Sequence, residues 1–257
     1  MAYSKERLKE DMLKLGIKNG DVILMHSSYK SLGKIDGGAK TFYDALLEVL
    51  GKDGTLIVPT LSYETVTRDN PVFNLKTSPS CVGYLTEYFR TEVDGVVRSV
   101  HPTHSCCAVG KLAKEITASH YLDVTPVGEN SPFHKLPEYG GKILMLGCDT
   151  RRNTSLHGVE ETMEPPYCID RVNKVTYTIT DDSKTYTQTA FRHYFVVPGS
   201  DEHYVQRYDR IIGLLDDSEV SSGKILEADC FLMDAKAVWK KGYDKLSEDP
   251  FWFVDEP

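Results

Sequence analysis

The sequence predicts an α/β protein with a central, mostly parallel sheet flanked by helices and antiparallel additions in the C-terminal third. Three observations carry this. Short apolar runs lack polar alternation, helical periodicities lie between them, and after residue 170 the pattern changes to β-branched and aromatic residues. A strand covered on both faces by helices buries both sides, so it reads as a continuous apolar run.

Taken in order, MAYSKERLKEDMLKLG at 1–16 spaces its apolar residues helically and lacks the uninterrupted apolar core of a signal peptide. VILM (22–25), TLIV (55–58), VV (96–97) and ILML (143–146) are the expected buried strands. In TFYDALLEVLG, Phe42, Leu46, Val49 and Leu50 share a helical face and Gly51 supplies a left-handed stop. Ser131 caps a second helix, with Pro132 at its first position and Gly140 at its end. VTYTIT and KTYTQTAF, separated by DDS, form a hairpin. A helix over about 201–215, a strand near ILEADCFLM and a final helix containing Trp239 complete the chain.

Length and a 40 % hydrophobic content suit one domain over residues 1–257. A formal charge of −8 argues against nucleic acid as partner. No apolar run approaches the roughly 20 residues of a membrane span. The six cysteines form no CxxC pair, which fits a reducing cytoplasm. GxGxxG, GxxxxGK[ST], GxSxG and HExxH are all absent, and GKIDGGAKT misses a phosphate loop by one residue.

Three segments carry chemistry. MHSSYKSLG (25–33) follows the first strand, and its small hydroxyl residues and Lys30 suit either a pyrophosphate or a surface turn. RSVHPTHSCCAVG (98–110) holds His101, His104 and Cys106, an incomplete zinc pattern, and adjacent cysteines that suit a buried strand. The third, residues 125–161, contains GENSPFHKL, LMLG and NTSLHGVE in that order. His157 supplies an imidazole, the side chain suited to proton transfer, and Glu160 lies three residues after it, on nearly the same helical face.

These segments resemble the aminoglycoside 3-N-acetyltransferase family, through Gly128, Ser131, Pro132, Lys135 and Leu136, then Leu144 to Gly147, then Asn153 to His157 with Glu160. HSS at 26–28, GTLIVPT at 54–60 and RSVHPTHS at 98–105 extend the likeness over at least residues 20–161. The resemblance implies direct transfer from acetyl-CoA, without metal, to the 3-amine of a 2-deoxystreptamine aminoglycoside. It makes His157 the general base, with Glu160 assisting it or meeting the substrate's amines. It also implies CoA contacts from His26, Ser27, Ser28, Lys30 and Ser31, with Thr60, Arg98 and Ser99 as further candidates. The family's second carboxylate has no counterpart in RHYFVVPGSDEHY; Asp201 and Glu202 stand nearest, and His193 and His203 are further contacts. Alternatives are a relative acting on another amine, a silent CoA-binding protein, a covalent mechanism through Cys106 or Cys107, and a zinc hydrolase using His101, His104 and Cys106. The oligomeric state is left open, a homodimer being one option.

Overall fold

A computed structural model describes residues 2–257. Its strands are β1 (Val22–Ser27), β2 (Thr55–Pro59), β3 (Val72–Asn74), β4 (Val97–Arg98), β5 (Cys106–Gly110), β6 (Lys142–Leu146), β7 (Val175–Thr180), β8 (Thr185–Ala190), β9 (Val205–Gln206), β10 (Val220–Ile225), β11 (Ala228–Asp234) and β12 (Val254–Asp255). The helices are α1 (Lys5–Leu15), α2 (Gly38–Leu50), α3 (Tyr84–Glu92), α4 (Ala113–Thr117), α5 (Pro132–Lys135), α6 (Leu156–Met163) and α7 (Ala235–Glu248).

Seven strands form the main sheet in the order β10-β11-β6-β1-β2-β5-β4. The α/β class is as expected. Its parallel centre is β6-β1-β2, and the other four pairings are antiparallel. β10 and β11 are the additions expected from the C-terminal third, but β5 and β4 also join antiparallel, from earlier in the chain. A continuous apolar run reports burial on both faces and says nothing about strand direction.

β1 shows that double burial. Ile23 and Met25 belong to the cluster under α1 and α2, whereas Val22 and Leu24 belong to the cluster under α6 and α7. The hairpin expected after residue 170 is β7–β8, and β3 completes that smaller sheet.

Two expected helices differ from their forecast. The one starting at Ser131 is capped as anticipated, the Ser131 hydroxyl accepting from His134 N at 3.1 Å, but it ends at Lys135. Pro137 follows and has no N–H to extend it. Over 201–215 the chain forms β9 and then a 3₁₀ turn, Tyr208–Leu214. Tyr208 and Ile211 are its buried residues, and their spacing of three matches the 3₁₀ repeat.

The loop into α6 is fixed by Asn153, whose Oδ1 accepts from Ser155 Oγ at 2.7 Å and Ser155 N at 3.3 Å. α6 then packs on α7 through Gly158. A Cβ on Gly158 would lie 2.3 Å from Trp239 Cη2 and 3.2 Å from Val127 Cγ1. Trp239 is rigid and buried, so Gly158→Ala is expected to cost about 1–3 kcal/mol by overpacking. A melting temperature unchanged within a degree would contradict this contact.

Candidate active site

A cleft of about 860 Å³ opens where β1 and β6 end. Ligands of open α/β sheets gather at the carboxyl ends of the parallel strands. His26 and Ser27 line it from β1, Cys148, Arg151 and Arg152 from the loop after β6, and His157 from α6; Arg192 to Phe195 and His203 to Gln206 close the far wall.

His157 is 4 % exposed, and its Nδ1 lies 3.0 Å from Glu160 Oε2, the juxtaposition that their spacing of three predicts. Glu160 is fully buried without a lysine or arginine; instead Tyr167 Oη donates to Oε1 at 2.9 Å and Tyr208 Oη to Oε2 at 2.6 Å. Charge-assisted hydrogen bonds of this kind are what a buried carboxylate needs in place of water.

Proton accounting settles the imidazole tautomer. Tyr208 has one O–H, given to Glu160, so its 2.8 Å contact with His157 Nδ1 has Nδ1–H as the donor. Nδ1–H is therefore shared between Glu160 Oε2 and Tyr208 Oη. The lone pair is left on Nε2, which has no protein partner among the described residues. Burial first, then the charge of Glu160, holds the Tyr208 hydroxyl well above its ordinary range, so it stays a neutral donor.

Four further histidines surround His157 or stand close behind it. The His193 ring is 4.2 Å from that of His157 and 4.8 Å from that of His104, and His101 stacks on His120 at 4.8 Å. His193 Nε2 meets Glu161 Oε1 at 2.7 Å, and burial raises that carboxyl to about 8. Burial depresses the basicity of His101, His104 and His193, and takes His26 and His120 down to about 3. All five are neutral at physiological pH.

The residues expected to contact CoA divide. His26 and Ser27 line the cleft, and His26 Nε2 and Ser27 Oγ are buried without a protein partner among the described residues. Buried polar atoms of this kind need a partner, which a bound ligand supplies. Ser28 and Ser31 form the turn after β1, where Ser31 Oγ donates to Ser28 O at 2.6 Å; Lys30 is exposed beside them and outside the lining. Thr60, Arg98 and Ser99 lie beneath the cleft, engaged with the protein. Arg98 donates to Ser105 Oγ, Leu75 O, Ser78 O, Thr60 O and Ser62 Oγ, and burial lowers it to about 10. Thr60 Oγ1 donates to Ser105 O, and Ser99 Oγ bonds His120 Nδ1 at 2.9 Å.

Asp201 and Glu202 are exposed and do not line the cleft. The acid beside the histidine cluster is Glu161, adjacent to Glu160 and reached through His193. Neither Tyr167 nor Tyr208 stood out in the sequence, and only folding reveals that they meet Glu160. His203 lines the cleft.

A metal set different from His101, His104 and Cys106 is assembled: one ring nitrogen each from His104, His157 and His193 lies within 4.8 Å of the others. A cation held there would occupy the free lone pair of His157. Added zinc is therefore expected to inhibit and chelation to leave turnover intact; turnover that disappears on chelation would instead make the ion a participant. Cys106 and Cys107 are buried, and burial raises both thiols, so neither supplies the thiolate a covalent mechanism needs. Mixing with acetyl-CoA is expected to leave no acetylated protein in a mass spectrum.

The chain matches the family model described as aminoglycoside 3-N-acetyltransferase over residues 24–247. It is 32 % identical to the aminoglycoside N(3)-acetyltransferase III of Salmonella sp over 179 residues, 64 % of this chain and 62 % of that protein, so it spans less than two thirds of that relative's length. The Serratia marcescens aminoglycoside N(3)-acetyltransferase III is 34 % identical over 67 % of this chain and 68 % of its own length. Among solved structures, aminoglycoside acetyltransferase AAC(3)-IVa in complex with gentamicin superposes with a TM-score of 0.83 at 27 % identity, covering 100 % of this chain and 93 % of the other. The AAC-IIIb binary complex with CoASH gives 0.81 at 28 % identity, covering 96 % and 97 %. With the fold and a family match over most of its length in agreement, this chain belongs to the aminoglycoside 3-N-acetyltransferase family.

Proposed function

We propose that the chain forms one catalytic domain that transfers the acetyl group of acetyl-CoA directly to a primary amine. An ammonium has no lone pair, so a base must take the amine proton as the C–N bond forms. His157 Nε2 is that base, and the released CoA thiolate receives the proton in turn. The observation that carries this reading is the His157–Glu160–Tyr208 network, which commits Nδ1–H inward and leaves Nε2 free at the cleft. Glu160 stabilises the imidazolium that forms. The orphaned His26 and Ser27 atoms support a CoA site at the end of β1. No helix among the described residues is long and apolar enough to cross a membrane, and the cytoplasm, which supplies acetyl-CoA, is the proposed place of action.

The acceptor has two readings. The Salmonella and Serratia relatives and the gentamicin complex carry aminoglycosides in their names, which makes an aminoglycoside 3-amine the acceptor by kinship and antibiotic resistance the outcome. One observation favours another amine: no Asp or Glu lines the cleft. Thiol release from acetyl-CoA, measured against aminoglycosides and other amines, tests the transfer itself. Acetyl-CoA-dependent turnover that stops when the amine is blocked is expected; protein that fails to bind acetyl-CoA would refute it.

A further inference from the structure

Aminoglycosides are polycations, and a site built for them needs carboxylates. This cleft presents Arg151, Arg152, Arg192 and five histidines, and no acid. Of the two carboxylates behind the histidines, Glu160 is engaged with two tyrosines and His157, and Glu161 gives Oε1 to His193 and Val127 N while its Oε2 is buried without a partner among the described residues, outside the lining. Asp170, in the adjoining pocket, is paired with Arg68. Glu64, next to the lining residue Tyr63, is exposed and outside the lining.

The arginines differ in how they are held. Arg151 is neutralised by Asp149. Arg192 is anchored by neutral acceptors, Val66 O at 2.7 Å, Tyr177 Oη at 3.2 Å and Tyr63 O at 3.3 Å, so its fork is fixed while its charge is unmatched. Arg152 makes no ion pair among the described residues, and its charge is felt at the Tyr63 hydroxyl. Two guanidiniums without an ion pair therefore stand about Tyr63, although Asp149 also feels the charge of Arg152. The Tyr63 ring is 6.1 Å from His104, which is 6.1 Å from His157. Tyr63 and His104 stand beyond the end of β2 and just before β5, the strands next over from the orphaned His26 and Ser27 on β1.

We propose that the acceptor is an amine that also carries an anionic group, a phosphate or a carboxylate, which Arg152 and Arg192 bind while His157 takes the proton of its amine. A guanidinium binds such groups through paired N–H donors. This rests on the acetyl-transfer reading and departs from the aminoglycoside one. The bonds are those of that transfer: C–N forms, C–S breaks, and the amine proton passes through His157 to the CoA thiolate.

Initial rates at saturating acetyl-CoA, with glucosamine, glucosamine 6-phosphate, muramic acid and kanamycin as acceptors, test it. Either the phosphate or the carboxylate arm is expected to exceed glucosamine in kcat/KM by about 10- to 100-fold, the worth of a hydrogen bond to a charged group, with kanamycin below both. Arg152→Gln should collapse that ratio towards one and Arg152→Lys should restore part of it, with the KM for acetyl-CoA unmoved. Kanamycin or plain glucosamine handled as well as the anionic amines would overturn the proposal. So would an Arg152→Gln effect confined to acetyl-CoA, which would assign the charge to CoA phosphates. Calorimetric titration of the CoA-loaded protein with the same four amines decides the matter if no acceptor turns over. Anion binding that Arg152→Gln abolishes upholds the proposal, and no anion binding defeats it. Failure to bind acetyl-CoA is a separate result and would defeat the transfer reading instead.

Discussion

His157→Ala is expected to lower kcat by about 10²- to 10⁴-fold, the usual worth of a general base, with acetyl-CoA affinity retained. The imidazole offers the cleft a lone pair that is both free and oriented, because its other nitrogen is tied to Glu160 and Tyr208. Tyr208→Phe keeps the ring and the packing but removes the hydroxyl that shares Nδ1–H. It should cost less than His157→Ala and move the acid limb of the kcat–pH profile, whereas a purely structural tyrosine would alter only the melting temperature. Full activity in His157→Ala would require a different base and sink the mechanism.

Acid should unfold this protein steeply. His26, His101, His104, His120 and His193 are all held far below the ordinary histidine range, chiefly by burial. In the unfolded chain each titrates near about 6.5, so below that pH the unfolded state binds more protons. The stability these histidines contribute is therefore fully present above about pH 6.5 and is lost as pH falls, against a smaller opposite contribution from Glu161, which keeps its proton in the folded state up to about 8. Each histidine contributes up to about 1.4 kcal/mol per pH unit. Acting together, they remove a large part of a typical stability of about 5–15 kcal/mol. Circular dichroism melts at stepped pH should show the melting temperature collapsing between about pH 6.5 and 4.5. A flat profile over that range would mean that these histidines are solvated.

Much of the fold was legible because burial on two faces leaves an apolar run that no other arrangement needs, as in VILM and ILML. The His157–Glu160 pair was legible for a similar reason: helical spacing fixes which side chains share a face. Spacing does not say which elements meet, so Tyr208, 51 residues from His157, was invisible as its partner. Arg98 shows the converse. A charged residue in a hydroxyl-rich segment reads as a ligand contact, yet its N–H groups are satisfied by the protein beneath the cleft. Asp201 and Glu202 were sought as the missing acid because of their position in the chain. They are exposed, and the acid that folding brings to the histidine cluster is Glu161, through His193.

The wide sequence span of the network also bears on when the protein becomes active as it is made. Chains leave the ribosome from the N-terminus at about 5–20 residues per second, and the three central strands are complete once Leu146 has emerged. Helix α6 can then form with His157 already in place. The tyrosine that orients the imidazole arrives only with residue 208, and the strand β11 that covers the open side of β6 arrives later still. A nascent chain can therefore possess a sheet, a cleft and a histidine before it possesses a catalyst, and chemical competence is among the last properties it acquires.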